Sequence, residues 1–130
     1  FVALLHDKLK QDDLYKAHAD SIEIVHNSLQ GLSNVEPFDA IVSGLPLNNF
    51  QPDVVRGILA DYQRLLKPGG TLSFFEYMFF RGLRSPFPGR MKLVSEVLSP
   101  WLKRFEFKRD WVWLNTPPAW VHHVRFSSLA

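Results

Sequence analysis

The sequence predicts an α/β fold, in which a mainly parallel β-sheet is covered by helices and ends in an antiparallel hairpin. Apolar runs of strand length alternate with amphipathic helical patterns along most of the chain, as in parallel strands joined by helices. Several of these runs stop at polar or glycine-rich turns. Residues 105–126 differ, because two alternating runs flank Asn-Thr-Pro-Pro and so indicate a hairpin at one edge of the sheet.

The first part of the chain is predicted to contain one helix and two strands. Apolar residues at helical spacing indicate a helix over 1–10, and polar residues indicate a loop over 11–20. Residues 21–26, SIEIVH, alternate and include β-branched side chains, so they are predicted to be a strand. Residues 29–36 read as a loop or a short helical turn. The run 38–43, FDAIVS, is nearly continuously apolar, which predicts a strand covered on both faces.

The second part is predicted to hold, in order, helix 52–66, strand 71–77, loop 78–90, helix 91–105 and hairpin strands 105–113 and 119–126. Pro52 suits the first position of a helix, and Lys67-Pro68-Gly69-Gly70 suits the turn after it. Pro100 is expected to break or kink the last helix.

Composition narrows the classes of function. The 130 residues are enough for one domain with a real core, and 46% apolar with 22% charged residues is typical of a soluble globular protein. The absence of cysteine excludes disulfides, thiolate metal sites and a cysteine nucleophile, and it is typical of a reducing compartment. The net charge of +2 hides an asymmetry: residues 1–77 balance at −4, and residues 78–130, which hold all four Trp, balance at +6. A basic, aromatic-rich surface suits an anionic partner, either nucleic acid or lipid phosphate.

The turn after strand 38–43 is the first place to look for chemistry. Ligands of open α/β sheets lie at the carboxyl ends of the strands, and this strand ends in Ser43-Gly44-Leu45-Pro46. Gly44 is expected to allow a backbone shape that other residues resist. We therefore expect the tips of strands 21–26, 38–43 and 71–77 to gather around one crevice.

Four segments carry a family resemblance. The family is that of the class I S-adenosylmethionine-dependent methyltransferases. Its third strand resembles SIEIVHNSL (21–29), and its fourth strand resembles FDAIVSGLP (38–46). Its fifth strand and the turn before it resemble LKPGG with TLSFFEY (66–77), and its last two strands resemble VWLNTPPAWVHHVRF (112–126). The SGLPL and NTPPAWV segments are most similar to bacterial phosphatidylethanolamine N-methyltransferases, which also resemble ribosomal RNA adenine dimethyltransferases. The resemblance implies a single, partial Rossmann-like methyltransferase domain over residues 1–130, with S-adenosyl-L-methionine as the methyl donor.

The resemblance also implies which residues border the cofactor: Asn27, Ser28, Ser43 and Gly44. Ser28 stands where the family usually has an Asp, so it can accept a hydrogen bond from the adenine amino group but brings no charge. The acceptor implied is an amine, and the phospholipid branch points to the phosphatidylethanolamine head group. Adenine dimethyltransferases carry an Asn-Pro-Pro-aromatic run at the fourth strand, and its absence here argues against a nucleobase.

Candidate substrate residues follow the sheet's carboxyl edge. Tyr77, which ends strand 71–77, is the candidate catalytic residue, because its hydroxyl can orient an amine and its ring tolerates a cationic product; Glu76 beside it is a weaker candidate. Asn48 is a nearby amide, with turn or cap formation as the alternative role. Arg81 and Arg84 lie among the phenylalanines of residues 78–92, a pattern that suits a loop meeting lipid phosphate or packing on the sheet.

The chain departs from the family in lacking its glycine-rich first turn and the acidic end of its second strand. Because it opens with Phe1 inside a predicted helix, we expect it to be the later part of a longer protein. Strand 21–26 would then lack a neighbour, and strand 38–43 would present a bare edge. We therefore expect the 130 residues alone to bind cofactor poorly and to be inactive.

Other readings stay open at this point. The basic half favours a nucleic-acid or small-molecule methyltransferase as one alternative, and the missing glycine-rich turn favours a truncated, non-catalytic fragment as another. His122 and His123 are adjacent on a strand and so face opposite ways, and no metal site is predicted. A cytoplasmic location is expected, at the inner face of the membrane if the substrate is a lipid.

Overall fold

The computed structural model describes residues 2–33, 35–77, 88–115 and 117–126. The described residues up to Ser33 form one compact unit, and those from 35 onward form a second. The first unit contains helices α1 (Val2–Gln11) and α2 (Asp13–Lys16) and the short 3-10 helices Ala19–Ser21 and Leu29–Gly31. The helix over 1–10 is therefore confirmed. The loop over 11–20 is wrong in part, because the Asp12 carboxylate accepts a hydrogen bond from Leu14 N at 3.0 Å and starts α2.

The predicted strand 21–26 is wrong. Residues 22–26 have no regular secondary structure, and no described segment pairs with them in a ladder. The alternation of the sequence is real, but a strand exists only where a neighbour takes its backbone hydrogen bonds.

The second unit contains the sheet and the long helices. In chain order these elements are β1 (Phe38–Ser43), a 3-10 turn (Leu47–Asn49), α3 (Pro52–Leu65), β2 (Leu66–Tyr77), α4 (Pro88–Phe105), β3 (Glu106–Val112) and β4 (Ala119–Arg125). The predicted loop 78–90 lies outside the described residues over 78–87, and its last three residues belong to α4. Pro100 lies inside α4 without interrupting it.

The four strands form one mixed sheet in the order β1-β2-β4-β3. β1 and β2 are parallel, with Ser43 beside Phe74 at the carboxyl end. β4 is antiparallel to both of its neighbours, β2 and β3. The predicted α/β sheet with a closing antiparallel hairpin is thus confirmed.

β1 is an edge strand, and this corrects one prediction. Its apolar run was expected to be covered on both faces, yet Val42 is 88% exposed and only Ser43 is buried. The predicted bare edge is confirmed, since β1 pairs only with β2 among the described strands. The continuous apolar run therefore predicted the strand correctly but did not predict whether its side chains are buried.

The predicted turn at 67–70 is instead an irregular bulge at the start of β2. The pairing passes from Phe38 opposite Leu66 to Ala40 opposite Thr71, so four residues stand opposite Asp39. Gly69 has φ +80°, a left-handed conformation that favours glycine, and its N–H donates to the Phe126 carbonyl at 3.0 Å. The bulge thereby ties the start of β2 to the residue that follows β4.

α3 and α4 pack on the same face of the sheet. The Tyr62 hydroxyl of α3 contacts the Ser43 hydroxyl. The Trp101 ring of α4 lies 6.3 Å from the Phe74 ring. Because Ser43 and Phe74 are register partners on β1 and β2, both helices lie on one face of the sheet. The buried apolar core on this face includes Val55, Ile58, Leu59, Leu72, Phe74, Val94, Leu98 and Val124. Val54 of α3 and Leu93 of α4 are exposed. The packing fixes the side chains at the carboxyl end of the parallel pair.

Candidate functional site

Ser43 ends β1, but its side chain is occupied by the fold. Its hydroxyl lies 2.5 Å from the buried Tyr62 hydroxyl and accepts a hydrogen bond from Leu45 N at 3.2 Å. Burial raises the pKa of Tyr62 above its ordinary value, and the hydrogen bond to Ser43 opposes that shift in part. What Ser43 offers a ligand is therefore backbone at the strand end, and no pattern in the sequence indicated the contact with Tyr62.

The Ser43–Tyr62 pair should be measurable as stability. We expect Tyr62→Phe to lower the free energy of unfolding by about 1–2 kcal/mol, because one buried hydrogen bond is lost and Ser43 keeps only Leu45. The folded pKa is raised, so the contribution of Tyr62 is complete below about pH 10 and is lost as pH rises further. Urea unfolding at pH 8 and at alkaline pH checks both points. A wild-type protein that loses no more stability than Tyr62→Phe above pH 10 would contradict them.

Gly44 leaves open space beside the end of β1. A Cβ built on this residue meets no heavy atom within 4 Å, and its φ is not positive. The expectation that Gly44 adopts a conformation reserved for glycine is therefore wrong. Its contribution is an uncovered stretch of backbone that a ligand can approach.

Asn48 joins the turn after β1 to the end of β2. Its Nδ2 donates a hydrogen bond to Oε1 of Glu76 at 3.3 Å. Polar groups from the carboxyl ends of the two parallel strands thus meet, as predicted for strands 38–43 and 71–77. The carboxyl end of a third strand, 21–26, was also expected there, but residues 22–26 do not form a strand.

His122 on β4 connects Glu76 to a second carboxylate. The His122 side chain is 1% exposed, its Nε2 lies 3.3 Å from Oε2 of Glu76, and its Nδ1 lies 2.6 Å from Oε1 of Glu106 on β3. Arg109 donates two hydrogen bonds to Glu106, at 2.9 and 2.6 Å. An unbroken polar chain therefore runs from Asn48 through Glu76, His122 and Glu106 to Arg109.

The carboxylate of Glu106 is held ionised by these contacts. Burial by itself raises its pKa, but the hydrogen bonds from Arg109 and His122 and the charges on both outweigh burial, so the pKa lies below its ordinary value. The same contact with Glu106 raises the pKa of Arg109. Sequence reasoning missed Glu106 and His122 as partners. One feature of the sequence could have indicated His122: it alternates with Trp120 and Val124 along β4, so these three side chains lie on one face of the strand.

A bulge in β3 explains how Arg109 reaches this face. The pairing shifts between Glu106 and Lys108, so Glu106 and Arg109 both lie on the His122 side. The predicted alternation of β3 is wrong for this reason, and Arg109, which interrupts the apolar set in the sequence, marks the place. The Arg109 guanidinium also lies 4.5 Å over the Trp120 ring. Among the described residues, Nε1 of Trp120 has no hydrogen-bond partner.

Tyr77 lies on the other face of β2. Its ring contacts Phe75 edge-on at 5.0 Å, and strand alternation places both opposite to Glu76. Tyr77 remains a candidate at the strand end, but the polar chain does not run through it. His123 likewise faces away from His122 and contacts Ser73 and Asp110, which confirms that the two histidines point in opposite directions.

The remaining predicted residues stay predictions. Asn27 and Ser28 belong to the first unit, where their side chains accept hydrogen bonds from Ser28 N at 2.8 Å and Gly31 N at 3.3 Å and so shape a local turn. Arg81 and Arg84 lie outside the described residues. In the part of the chain that is described, no group of three or more His, Cys, Asp or Glu side chains is placed to hold a metal ion. None of the described helices is both long and apolar enough to span a bilayer.

The fold is similar to that of solved methyltransferases. The N-methyltransferase NodS from Bradyrhizobium japonicum WM9 matches with a TM-score of 0.57 and 17% identity over 88% of this chain and 66% of that chain. A second NodS structure, in complex with S-adenosyl-L-homocysteine, matches with the same TM-score over 60% of its length. An O-methyltransferase family protein from Burkholderia thailandensis matches with a TM-score of 0.57 and 12% identity over 95% of this chain and 41% of that chain.

These likenesses show that the chain has a Rossmann-like α/β fold. The chain spans less than two thirds of the length of each of these three structures. No protein-family model and no curated protein sequence matches it.

Proposed function

We propose that this chain is part of an S-adenosylmethionine-dependent methyltransferase that acts on an amine. The observation that carries the proposal is the Asn48–Glu76 contact, which gathers polar groups at the carboxyl end of two parallel strands in a fold similar to solved methyltransferases. One of those structures holds S-adenosyl-L-homocysteine, the product left when S-adenosylmethionine gives up its methyl group.

The described residues fit the reacting end of such a cofactor. Backbone beside Gly44, after the end of β1, is open to close approach, and Asn48 and Glu76 bring polar groups to the ends of β1 and β2.

The cofactor would supply an electrophilic methyl group, and the chain has to position an amine that carries a free lone pair. An in-line displacement gains most from orientation, which the rigid ends of β1 and β2 provide. Hydrogen-bonding groups at these ends are offered by Asn48, in the turn after β1, and by Tyr77, the last residue of β2.

The proposed acceptor is a phospholipid head group such as phosphatidylethanolamine. Support comes from the SGLPL and NTPPAWV segments and from the +6 balance of residues 78–130. Arg81 and Arg84 are the proposed phosphate-binding residues. Binding to phosphatidylglycerol-containing vesicles, compared with binding to RNA at the same salt concentration, separates this acceptor from the nucleic-acid alternative.

Titration calorimetry with S-adenosyl-L-homocysteine tests the function. We expect saturable binding by the protein expressed from its complete reading frame and weak or no binding by the 130 residues alone. Gly44→Val should weaken binding about tenfold or more, since it covers the open backbone, and should leave the melting temperature unchanged because its Cβ meets nothing within 4 Å.

Gly57→Val is the matched control. Gly57 is also exposed and its Cβ also meets nothing within 4 Å, but it lies on α3. Equal affinity in the two variants would remove Gly44 from the site. No binding by the complete protein would overturn the proposed function and favour a non-catalytic fragment.

A further inference from the structure

The end of β3 exposes a cluster of large apolar side chains, which we call the apolar tip. It consists of four consecutive residues: Trp111 is 54% exposed, Val112 39%, Trp113 60% and Leu114 101%. They lead from β3 into the turn before β4. Contact of this much contiguous apolar surface with water is unfavourable, and such a patch marks an interaction surface in a way that single exposed residues do not.

Ring contacts support the tryptophans of the apolar tip. The Trp111 ring lies 5.3 Å from the Trp113 ring and stacks on the Trp120 ring of β4 at 5.5 Å. The Arg109 guanidinium lies 4.5 Å over the Trp120 ring. Because these side chains already hold one another, a partner that buries them loses little free energy in ordering them.

The apolar tip lies at the same edge of the sheet as the candidate site. β4 is antiparallel to both β2 and β3, so β3 runs in the same direction as β2. Tyr77, the last residue of β2, pairs with Ala119, and Ala119 pairs with Val112, the last residue of β3. Neighbouring strands are about 5 Å apart, so the ends of β2 and β3 lie level with each other at a separation of about 10 Å.

The side chains of the apolar tip favour a lipid bilayer over a nucleic acid. Tryptophan is enriched where apolar and wet regions meet, as at the surface of a membrane, and leucine gains from contact with hydrocarbon. Stacking on bases requires a flat π face, which Val112 and Leu114 do not have.

The charge of this part of the chain suits an anionic bilayer. Residues 78–130 balance at +6, which attracts them to the surface of a leaflet that contains anionic lipid. Next to the tip, however, Lys108 pairs with Asp110 and Arg109 pairs with Glu106. Apolar contact, rather than charge, therefore supplies the attraction at the tip itself.

We propose that the apolar tip docks the protein on a lipid bilayer, with Trp113 and Leu114 entering the region between the head groups and the acyl chains. The choice of a lipid partner rests on the proposed function, in which the acceptor is a phospholipid head group. Docking through the tip brings the carboxyl ends of β1 and β2 to the membrane surface. A head-group amine can then approach the candidate site while its acyl chains stay in the bilayer.

Vesicle binding by the protein expressed from its complete reading frame tests this inference. The vesicles contain equal parts of phosphatidylglycerol and phosphatidylcholine, and no cofactor is added. The double variant Trp113→Ala with Leu114→Ser should bind about tenfold or more weakly than the wild type, because the burial of two large apolar side chains is lost. Neither substitution changes the charge, so electrostatic attraction to the vesicles stays the same.

Leu14→Ser with Phe107→Ala is the matched control. Leu14 is 69% exposed on α2, and Phe107 is 51% exposed near the start of β3, at the end of that strand away from the tip. These two changes also remove exposed apolar surface without altering charge. Vesicle binding by this variant should stay within about twofold of the wild type.

Three results would overturn the inference: no vesicle binding by the wild type, equal binding by the wild type and the tip variant, or equal weakening by the control. If the tip variant instead loses RNA binding or a dimer while vesicle binding is unchanged, the tip belongs to a nucleic-acid site or to an interface with a second copy of the chain. Absence of binding to S-adenosyl-L-homocysteine, measured separately, overturns the proposed function, so the two failures are distinguishable.

Discussion

His122→Leu is expected to lower the free energy of unfolding by about 3–5 kcal/mol. Leucine fills a similar volume and can pack on Phe74, whose ring lies 5.1 Å from the imidazole, so the loss does not come from a cavity. It comes from leaving Glu76 and Glu106 mostly buried without the hydrogen-bond donor between them. Equilibrium urea unfolding at pH 7, followed by tryptophan fluorescence, measures the effect.

His123→Leu is the matched control for this substitution. Its contacts with Ser73 and Asp110 are partly exposed, so water can replace them, and we expect a loss below about 1 kcal/mol. Equal losses for the two variants would show that the Glu76–His122–Glu106 cluster is not buried as described.

The pH dependence of the His122→Leu effect gives an independent check. Because the pKa of Glu106 is lowered in the fold, its stabilising contribution is complete above about pH 4.3 and is lost as pH falls through the lowered value. In the variant the carboxylates become neutral on acidification and are then less costly to bury. The difference between wild type and variant should therefore shrink between pH 7 and pH 4.

The order of elements from residue 38 onward could be predicted from the sequence because local and long-range signals agree there. The apolar run of β1, the Pro52 helix start and the alternation of β4 each favour one structure, and sheet packing favours the same one. Pairing of 38–43 with 71–77 followed from the rule that strands joined by a helix lie parallel and adjacent.

The failures share a physical cause, which is that partners are not encoded locally. Residues 22–26 have the composition of a strand, but without a paired neighbour they form none. Val42 is apolar and 88% exposed because β1 is at the edge of the sheet. In β3 a bulge changes the phase after Glu106, and periodicity cannot show on which residue a bulge falls.

The candidate site could be predicted only to the level of strand ends. The rule that ligands lie at the carboxyl ends of strands led to Ser43, Asn48 and Glu76; the fold brings Asn48 and Glu76 into contact, whereas the Ser43 hydroxyl contacts Tyr62 and Leu45. It gave no information on His122 and Glu106, because neither lies at the carboxyl end of a strand: His122 is in the middle of β4, which runs antiparallel to β2, and Glu106 is the first residue of β3. Their contact depends on sheet order, which the sequence pattern leaves open.

Phe74→Ala is expected to have a comparable effect, a loss of about 3–5 kcal/mol in the free energy of unfolding. The Phe74 side chain is 2% exposed, at the centre of the helix-covered face. Its ring stacks on His122 and contacts Trp101 of α4, so truncation leaves a cavity between the sheet and the helix. Because Phe74 also pairs with Ser43, the cavity borders the candidate site, and cofactor affinity should fall together with stability.

Phe107→Ala provides the same change of side chain on the surface. Phe107 is 51% exposed on β3, where Arg125 lies 4.5 Å over its ring, so we expect a loss below about 1 kcal/mol and unchanged cofactor affinity. Urea unfolding and calorimetry of both variants form one experiment. A small loss for Phe74→Ala would contradict the packing of Trp101 on α4 against Phe74 in the buried core of the sheet.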